Sequence, residues 1–407
     1  MTPTFTRPVP RWLRVWSILT VIVAAAVIVL GSLITTFKVG MSDPVWPTEP
    51  WFLIVNNHVW VDEPRRGYLI EHTHRLVAWT IGVFATVLAV GAWVAEPDRK
   101  MRWIGTAAIL FFLVAYLGLH GEMGAAWRAR TAGGELVWPV GSAIACGVAL
   151  FVVSVVCAMM MRRPAVGSSV RLLATVGLVA VMIQGLLGGY RVFLDQLMGN
   201  QLAAIHGFFG QVTFATLMGV AVLTAPRRDG DCLPEAERAK LQTLGVLLPI
   251  LVTCQLIWGV WVRHMGSPIA QRLHILTAFV VTGLCVWLCV RTLSSQASRK
   301  QLGFYVYHLL AVIAVQIVLG VEAWMGKFAA SGPSAMLPPE LRPITEYAAT
   351  VRTLHTLIGA ALLGSTVVLA IRILRKPVSL TQAGDKEPSR VALSETIKAK
   401  RELIAAS

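Results

Sequence analysis

Residues 15–37, VWSILTVIVAAAVIVLGSLITTF, form a stretch of 23 positions without a charged side chain. About 20 apolar residues in a helix cross the hydrocarbon core of a bilayer, so this stretch predicts a transmembrane helix. Three arginines, Arg7, Arg11 and Arg14, precede it, as they would in a secretory signal. The stretch is too long for such a signal and has no small-residue cleavage site before Lys38. We therefore expect an uncleaved first helix.

Nine further apolar runs follow the first along the 407-residue chain. With the first run, they lie at about 13–37, 69–95, 103–120, 137–160, 170–194, 203–225, 242–262, 271–293, 303–326 and 352–374. None shows the strict alternation of barrel strands, and a lipid-exposed helix satisfies its own backbone hydrogen bonds. Hydrophobic residues make up 56% of the chain and charged residues 14%, against roughly 25% charged in soluble domains. The sequence predicts an all-α integral membrane protein of about ten transmembrane helices.

Basic residues are distributed unequally between the two sides of this predicted topology. The side that carries both termini holds 24 of the 36 Lys and Arg residues, and the other side holds 12. Because basic residues accumulate on the cytoplasmic side, both termini are expected inside. The short leader before the first helix does not resemble a mitochondrial transit segment, which favours a bacterial cytoplasmic membrane. Residues 377–407 are polar and are interpreted as a cytoplasmic tail.

Composition also excludes several classes of protein. The formal charge of +15 does not indicate a nucleic-acid partner, because the basic residues lie between apolar blocks rather than on one polar surface. The six cysteines form no C-x-x-C pair and no Cys-His cluster with zinc spacing. A disulfide scaffold, a structural zinc site and covalently attached haem are therefore excluded.

Four short elements of the chain recur in the same order. Residues 31–35, 71–74, 184–188 and 205–207 match residues 259–263, 271–274, 316–320 and 354–356. Helices one, two, five and six thus form a predicted first unit within residues 1–226, and helices seven to ten form a second within residues 227–376. Helices three and four, at about 103–160, are an inserted hairpin. Each unit has an even number of helices, so a pseudo-two-fold axis along the membrane normal is expected, with a four-helix bundle on each side.

The repeat predicts that four histidines lie at one depth, each in the first turns of a helix that enters from the outer side. They are His74, His206, His274 and His355. A single membrane histidine is more often structural than a ligand, but four at matched positions favour ligation. Two imidazoles facing each other across an apolar bundle suit a six-coordinate haem iron, whereas zinc or copper needs three or four ligands.

Cations are predicted at the same outer edge. A haem carries two propionate groups, and guanidinium groups bind carboxylates well. Candidates for this role are Arg75 and Arg191 in the first unit and Arg263 and Arg352 in the second. The alternative for each arginine is an ordinary interfacial position with its head group in water.

The two units differ where Glu71 precedes His74 by one helical turn, because Gln271 takes the matching place before His274. A carboxylate can accept a proton or stabilise a developing cation, and an amide cannot. We therefore expect the first unit to transform a haem and the second to hold one as a cofactor. The alternative is that Glu71 only positions Arg75 or an imidazole.

Other polar residues carry weaker predictions. His120 and Glu122 lie in the inserted hairpin, whose expected role is that of a scaffold, and neither has an assigned role. His58 and His264 are expected in outer loops. His72 points away from His74 around the helix, so the two cannot ligate one iron.

Taken together, these motifs resemble the haem A synthase family. The resemblance rests on residues 35–41, TTFKVGM, followed by Trp46-Pro47-Thr48, on Glu71-x-x-His74-Arg75, on residues 184–189, QGLLGG, and on the four histidines at helix starts. It extends from about Gly31 to Leu374, interrupted by the hairpin. Family members usually have eight helices, and some carry a cysteine pair in an outer loop that is absent here.

The resemblance implies the oxidation of a methyl group of haem O to the formyl group of haem A, for terminal oxidase assembly. By position, it implies that His74 and His206 bracket the substrate haem, with Glu71 near the reacting site, and that His274 and His355 ligate a haem b cofactor. Implied partners are the lipid bilayer, haem O synthase, oxidase assembly factors and a second copy of the chain. Two other functions stay open: a non-catalytic bis-histidine two-haem electron carrier, and a transporter with a histidine proton relay.

Overall fold

The computed structural model describes residues 5–6, 9–43, 46–47, 63–162, 167–228, 232–328, 336–337 and 342–375. Within these residues lie ten helices that are long and apolar enough to cross a membrane. They are α1 (Arg11–Phe37), α2 (Glu63–Val94), α3 (Arg99–Thr131), α4 (Val140–Met161), α5 (Ser168–Phe193), α6 (Asp195–Leu223), α7 (Glu235–Met265), α8 (Pro268–Leu293), α9 (Gln296–Phe328) and α10 (Glu346–Leu374). The prediction of an all-α integral membrane protein with about ten transmembrane helices is confirmed.

A short strand pair joins the beginning of the chain to the connection between α6 and α7. Strand β1 (Phe5–Thr6) is antiparallel to β2 (Arg227–Arg228), with Phe5 opposite Arg228 and Thr6 opposite Arg227. The N-terminal segment and this connection therefore lie at the same end of the helix bundle. The sequence predicts the same side for both.

Helix α3 is much longer than the apolar run at 103–120 from which it was predicted. It begins after Asp98, whose carboxylate accepts hydrogen bonds from the backbone N–H groups of Lys100 at 2.8 Å and Met101 at 3.3 Å. Such an N-cap satisfies donors that a helix start leaves unpaired. The helix also continues beyond His120, because this residue is buried among aromatic rings rather than exposed at a helix end.

Helices α1, α2, α5 and α6, here called the first helix set, contact one another around a common core, as do α7, α8, α9 and α10, the second helix set. The two sets meet through α1 and α6 on one side and α7 and α10 on the other. The predicted domain boundaries and the pseudo-two-fold axis stay predictions. The tail at 377–407 lies outside the described residues.

The hairpin of α3 and α4 packs on the side of the first helix set, against α2 and α5. Its clearest anchor is Trp93 of α2, which lies over Gly105 of α3. A β-carbon at Gly105 would come within 2.0 Å of that ring, so only glycine fits here. The Trp93 indole N–H also donates to Thr175 Oγ1 of α5 at 2.9 Å, which ties the three helices together.

Candidate functional site

Each of the four predicted histidines packs against a glycine on the preceding helix of its own helix set. The pairs and the distances from histidine Cε1 to a β-carbon placed on the glycine are His74–Gly31 at 3.2 Å, His206–Gly188 at 3.4 Å, His274–Gly259 at 2.8 Å and His355–Gly320 at 3.1 Å. The glycine leaves room for an imidazole against the neighbouring backbone. The sequence repeat is therefore also a repeat of side-chain packing.

Two glutamines, each one turn before such a glycine, fix the backbone at a histidine. Gln184 Nε2 donates to the carbonyl oxygen of His206 at 2.8 Å, and Gln255 Nε2 donates to that of His274 at 2.8 Å. Sequence analysis missed Gln255. Its signal was present, because it precedes its glycine by four residues as Gln184 does.

The third glutamine of this kind, Gln316, lies with its Nε2 atom 3.5 Å from Nε2 of His355. Helix α1 has Val27 four residues before Gly31. The His74 position therefore differs from the other three, because its preceding helix carries a valine where the others carry a glutamine.

In the second helix set, the rings of His274 and His355 lie next to each other, edge to face. Their centroids are 6.3 Å apart and their planes are inclined by 79°. His274 Nδ1 lies 3.1 Å from the carbonyl oxygen of Gln255. That contact orients the ring and leaves Nε2 as the nitrogen available for a ligand bond.

In the first helix set, His74 and His206 lie close to each other. The Nδ1 atom of His206 is buried and has no hydrogen-bond partner among the described residues. Buried polar atoms without a partner are uncommon and favour a binding role. Within the same residues, no three His, Cys, Asp or Glu side chains converge as a metal site would require. The donor set, two imidazoles in each helix set, fits a haem iron.

Glu71 is held in a buried polar network that includes Arg75, the partner that the alternative role of Glu71 predicts, and Asp43, which was not predicted. Its Oε1 accepts a hydrogen bond from Arg75 Nη2 at 2.9 Å, and its Oε2 accepts one from the backbone N–H of Asp43 at 2.9 Å. Asp43 Oδ2 lies 2.9 Å from His72 Nδ1 and 3.5 Å from Arg75 Nη1. Asp43 was missed because it is distant in sequence and lies in the loop after α1. The network fixes the position of the Glu71 carboxylate beside His74.

Arg263 connects the two helix sets. Its Nη1 donates to Thr356 Oγ1 at 2.6 Å, and its Nη2 donates to the carbonyl oxygen of Ser32 at 2.8 Å, to Ser32 Oγ at 3.0 Å and to Thr36 Oγ1 at 2.9 Å. All four acceptors are uncharged. The guanidinium therefore retains its full positive charge between the histidine pairs.

The other predicted cations lie nearby. Arg191 packs on Gly40, where a β-carbon would be 2.3 Å from Nη2 of Arg191, and its charge acts on both His74 and His206. The charge of Arg352 acts on Arg263. The structure thus brings the arginines close to the histidines, and their role as propionate ligands stays a prediction.

One expectation is wrong: His264 is in the last turn of α7 and not in an outer loop. Its Nε2 atom lies 3.5 Å from the position of a β-carbon on Gly207, beside His206 of the first helix set. Helix α7 continues through His264 and ends at Met265. The next residue, Gly266, has a left-handed backbone conformation with φ of 62° and ends the helix. His58 lies outside the described residues. Glu122 is exposed, and His120 is buried.

The described part of the chain is a multi-pass helical membrane protein whose two helix sets each bring two histidines together. Over 108 residues, or 26% of its length, the chain is 31% identical to the haem A synthase of Listeria welshimeri serovar 6b. The same figures hold for the haem A synthases of Listeria monocytogenes serotype 4b and Listeria innocua serovar 6a. The match covers 34% of each relative, so the chain spans about a third of the length of the curated relatives it matches. No family model and no solved structure matches the chain.

Proposed function

We propose that this protein is a membrane haem-modifying oxidoreductase that acts as a haem A synthase, oxidising a methyl group of haem O to the formyl group of haem A. The observation that carries the proposal is the repeated packing of four histidines on four glycines, in two pairs. The limited similarity to haem A synthases supports the reaction. The bacterial cytoplasmic membrane, with both termini inside, is the proposed location.

In the second helix set, His274 and His355 would hold the cofactor, haem b. Their ring centroids are 6.3 Å apart, and imidazole nitrogens are common ligands of haem iron. Arg263 and Arg352 would bind the propionate groups of this haem. When bound, haem b supplies a redox-active iron within the membrane. Helix α8 carries Gln271 at the position that matches Glu71 of the first helix set, so this position, one turn before His274, has no carboxyl group.

In the first helix set, His74 and His206 would hold the substrate, haem O, and Arg75 and Arg191 would bind its propionates. Glu71 is the proposed catalytic residue. Two donors, Arg75 Nη2 and the Asp43 backbone N–H, hold its oxygens at 2.9 Å each. The carboxylate is thereby kept one turn from His74, where it can take a proton or stabilise positive charge as a methyl group is oxidised.

The test compares Glu71→Gln with the matched change Gln271→Glu in purified membranes. Haem is extracted, identified by mass and quantified per protein. Glu71→Gln should retain bound haem but lower formyl haem at least tenfold, whereas Gln271→Glu should leave the pigments unchanged. Unchanged formyl haem in Glu71→Gln would defeat the catalytic assignment.

A second function, a non-catalytic two-haem electron carrier, is favoured by one observation. Both oxygens of Glu71 are already engaged by Arg75 and Asp43, as in a purely positioning role. The carrier predicts bound haem without formyl haem in the unmodified protein. A histidine proton relay in a transporter predicts protein without porphyrin absorption.

The proposal extends to partners. A haem O substrate and a haem A product are apolar enough to pass through the lipid bilayer or directly between membrane proteins. Haem O synthase and oxidase assembly factors are the proposed neighbours, and a second copy of the chain is a further one. Co-purification from membranes that contain haem O synthase tests the first of these.

A further inference from the structure

The loop that follows α1, here residues 38–43 and 46–47, is packed against three helices. On α2, a β-carbon at Gly67 would lie 2.8 Å from Ser42 Oγ. Also on α2, Glu71 accepts a hydrogen bond from the Asp43 backbone N–H, and His72 contacts the Asp43 carboxylate. The loop therefore carries one of the two donors that hold the Glu71 carboxylate.

The backbone of this loop is left-handed at two positions, at Lys38, where it caps α1, and at Met41. Lys38 has φ of 55° and Met41 has φ of 74°, so two residues with side chains occupy the left-handed region. Such conformations cost free energy and are maintained by the surrounding structure. The contacts that provide this support determine where Asp43 is placed.

The inserted hairpin provides contacts at the far end of the loop. The ring of Trp46 lies on the ring of His120 of α3, with centroids 4.7 Å apart and planes inclined by 36°. One turn further along α3, Gly124 leaves room for Pro47, because a β-carbon there would be 2.9 Å from Cδ of that proline. Trp46 and Pro47 therefore both pack against one face of α3 in the hairpin.

His120 is itself fixed by aromatic rings. Trp79 of α2 approaches it edge-on at 4.9 Å, and Tyr116 lies at 5.8 Å. The Tyr116 hydroxyl in turn abuts Gly185 of α5, where a β-carbon would be 2.5 Å away. His120 therefore joins the hairpin to α2, to α5 and, through Trp46, to the loop.

From these contacts we infer that the inserted hairpin positions the Glu71 carboxylate, with His120 as the positioning residue that holds Trp46 and, through it, Asp43. Only two residues lie between Asp43 and Trp46, so their α-carbons are at most about 11 Å apart. We therefore expect a displacement of Trp46 to move the Asp43 N–H group. The inference rests on the proposed function only for its catalytic consequence, and the hairpin serves the site rather than packing alone.

The first experiment reads the Asp43–Glu71 hydrogen bond directly. Hydrogen–deuterium exchange of the full-length protein in detergent micelles, followed by mass spectrometry, is measured for a peptide that contains Asp43. We expect His120→Ala to increase exchange in this peptide at least tenfold, and His120→Phe to restore slow exchange because it keeps the aromatic contact. Leu117→Ala, on the 52% exposed Leu117 of the same helix, is the matched control and should change nothing.

A second variant guards against misfolding of His120→Ala. Gly124→Ala introduces a β-carbon against Pro47 without removing any hairpin side chain, and it should also raise exchange at Asp43. Slow exchange in both His120→Ala and Gly124→Ala would overturn the inference, because α2 and α5, whose Gly189 and Phe193 also contact Trp46, would then hold the loop without the hairpin. Equal exchange in His120→Phe and His120→Ala would also overturn the role of the ring.

Pigment analysis of the same variants separates this inference from the proposed function. If exchange at Asp43 rises and formyl haem falls with it, both stand. If exchange rises and formyl haem is unchanged, the positioning role of His120 stands and the catalytic role of Glu71 fails. If exchange does not change, the positioning role fails whatever the pigments are.

Discussion

Gly259 of α7 lies so close to His274 of α8 that a β-carbon on the glycine would come within 2.8 Å of Cε1 in the imidazole. Real β-carbons essentially never approach another heavy atom that closely, so an alanine here must displace the ring or separate the helices. The same relationship is looser at Gly188, where the distance to His206 is 3.4 Å, an ordinary contact. The four histidine sites therefore differ in how tightly they are built.

The difference predicts a graded response to alanine. Gly259→Ala should lower the haem bound per protein at least about threefold, or about 0.7 kcal/mol of binding free energy. The reason is that the added β-carbon would displace the His274 ring from the position in which it would bind the haem. Gly188→Ala should have a smaller effect on the His206 site. Haem content and absorption spectra of purified protein are the measurements.

Gly283→Ala is the control for this series, because a β-carbon at Gly283 of α8 has no neighbour within 4 Å. Alanine in an open helical position stabilises slightly, by up to about 1 kcal/mol. Full haem content in Gly259→Ala, or a larger loss in Gly188→Ala, would contradict the packing argument.

Arg263 should contribute strongly to the association of the two helix sets. Arg263→Met removes hydrogen bonds to Ser32, Thr36 and Thr356. Hydrogen bonds to a charged group are worth about 1.5–3 kcal/mol each, so the thermal midpoint in detergent should fall by several degrees. Arg272→Met, on an exposed arginine, is the control and should not lower it. Equal midpoints for the two variants would show that the Arg263 contacts do not join the sets.

A buried ion pair links the end of α2 to α5. Arg171 Nε is 2.7 Å from Glu96 Oε2, with side-chain exposures of 0% and 5%. Glu96→Ala should destabilise the protein by about 3–5 kcal/mol, because it leaves a buried charge uncompensated. Replacing both residues with apolar ones should recover most of this loss, as measured by unfolding in detergent.

The exposed pair of Arg66 and Glu346 provides the comparison for this prediction. Its side chains are 49% and 71% exposed. Glu346→Ala should therefore change stability by no more than about 1 kcal/mol. A double replacement of Glu96 and Arg171 that is as unstable as Glu96→Ala would indicate that the loss comes from packing rather than charge.

The orientation of the chain is also testable. Alkaline phosphatase is active only outside the cytoplasm, so a fusion after residue 376 should be inactive and a fusion in the connection near residue 267 should be active. Fluorescent protein fusions at the same positions should give the opposite pattern. The reverse result would invert the predicted topology and place the histidines on the cytoplasmic side.

The transmembrane helices and the repeat could be predicted from the sequence because both depend on the order of residues within short stretches of the chain. Twenty apolar residues cross a bilayer wherever they occur in a chain, and a helix start with histidine is visible in a few residues. Gln255 was accessible in the same way, four residues before Gly259, although it was overlooked. Helix α3 extends beyond its apolar run, and the residues of its later turns, such as His120 and Gly124, pack against Trp46 and Pro47, which are far away in the chain.

Only the tertiary structure decided which groups meet. The glycine beneath each imidazole, the two donors on Glu71, and the contact of His264 with the first helix set all join residues on different helices. Their formation depends on how helices pack side by side, and helical periodicity specifies which face is apolar but not which neighbour covers it. The sequence by itself therefore determined the number of helices and the residues with ligand chemistry. The packing of those helices determined that the Asp43 backbone meets the Glu71 carboxylate and that His120 lies against Trp46 of the same loop.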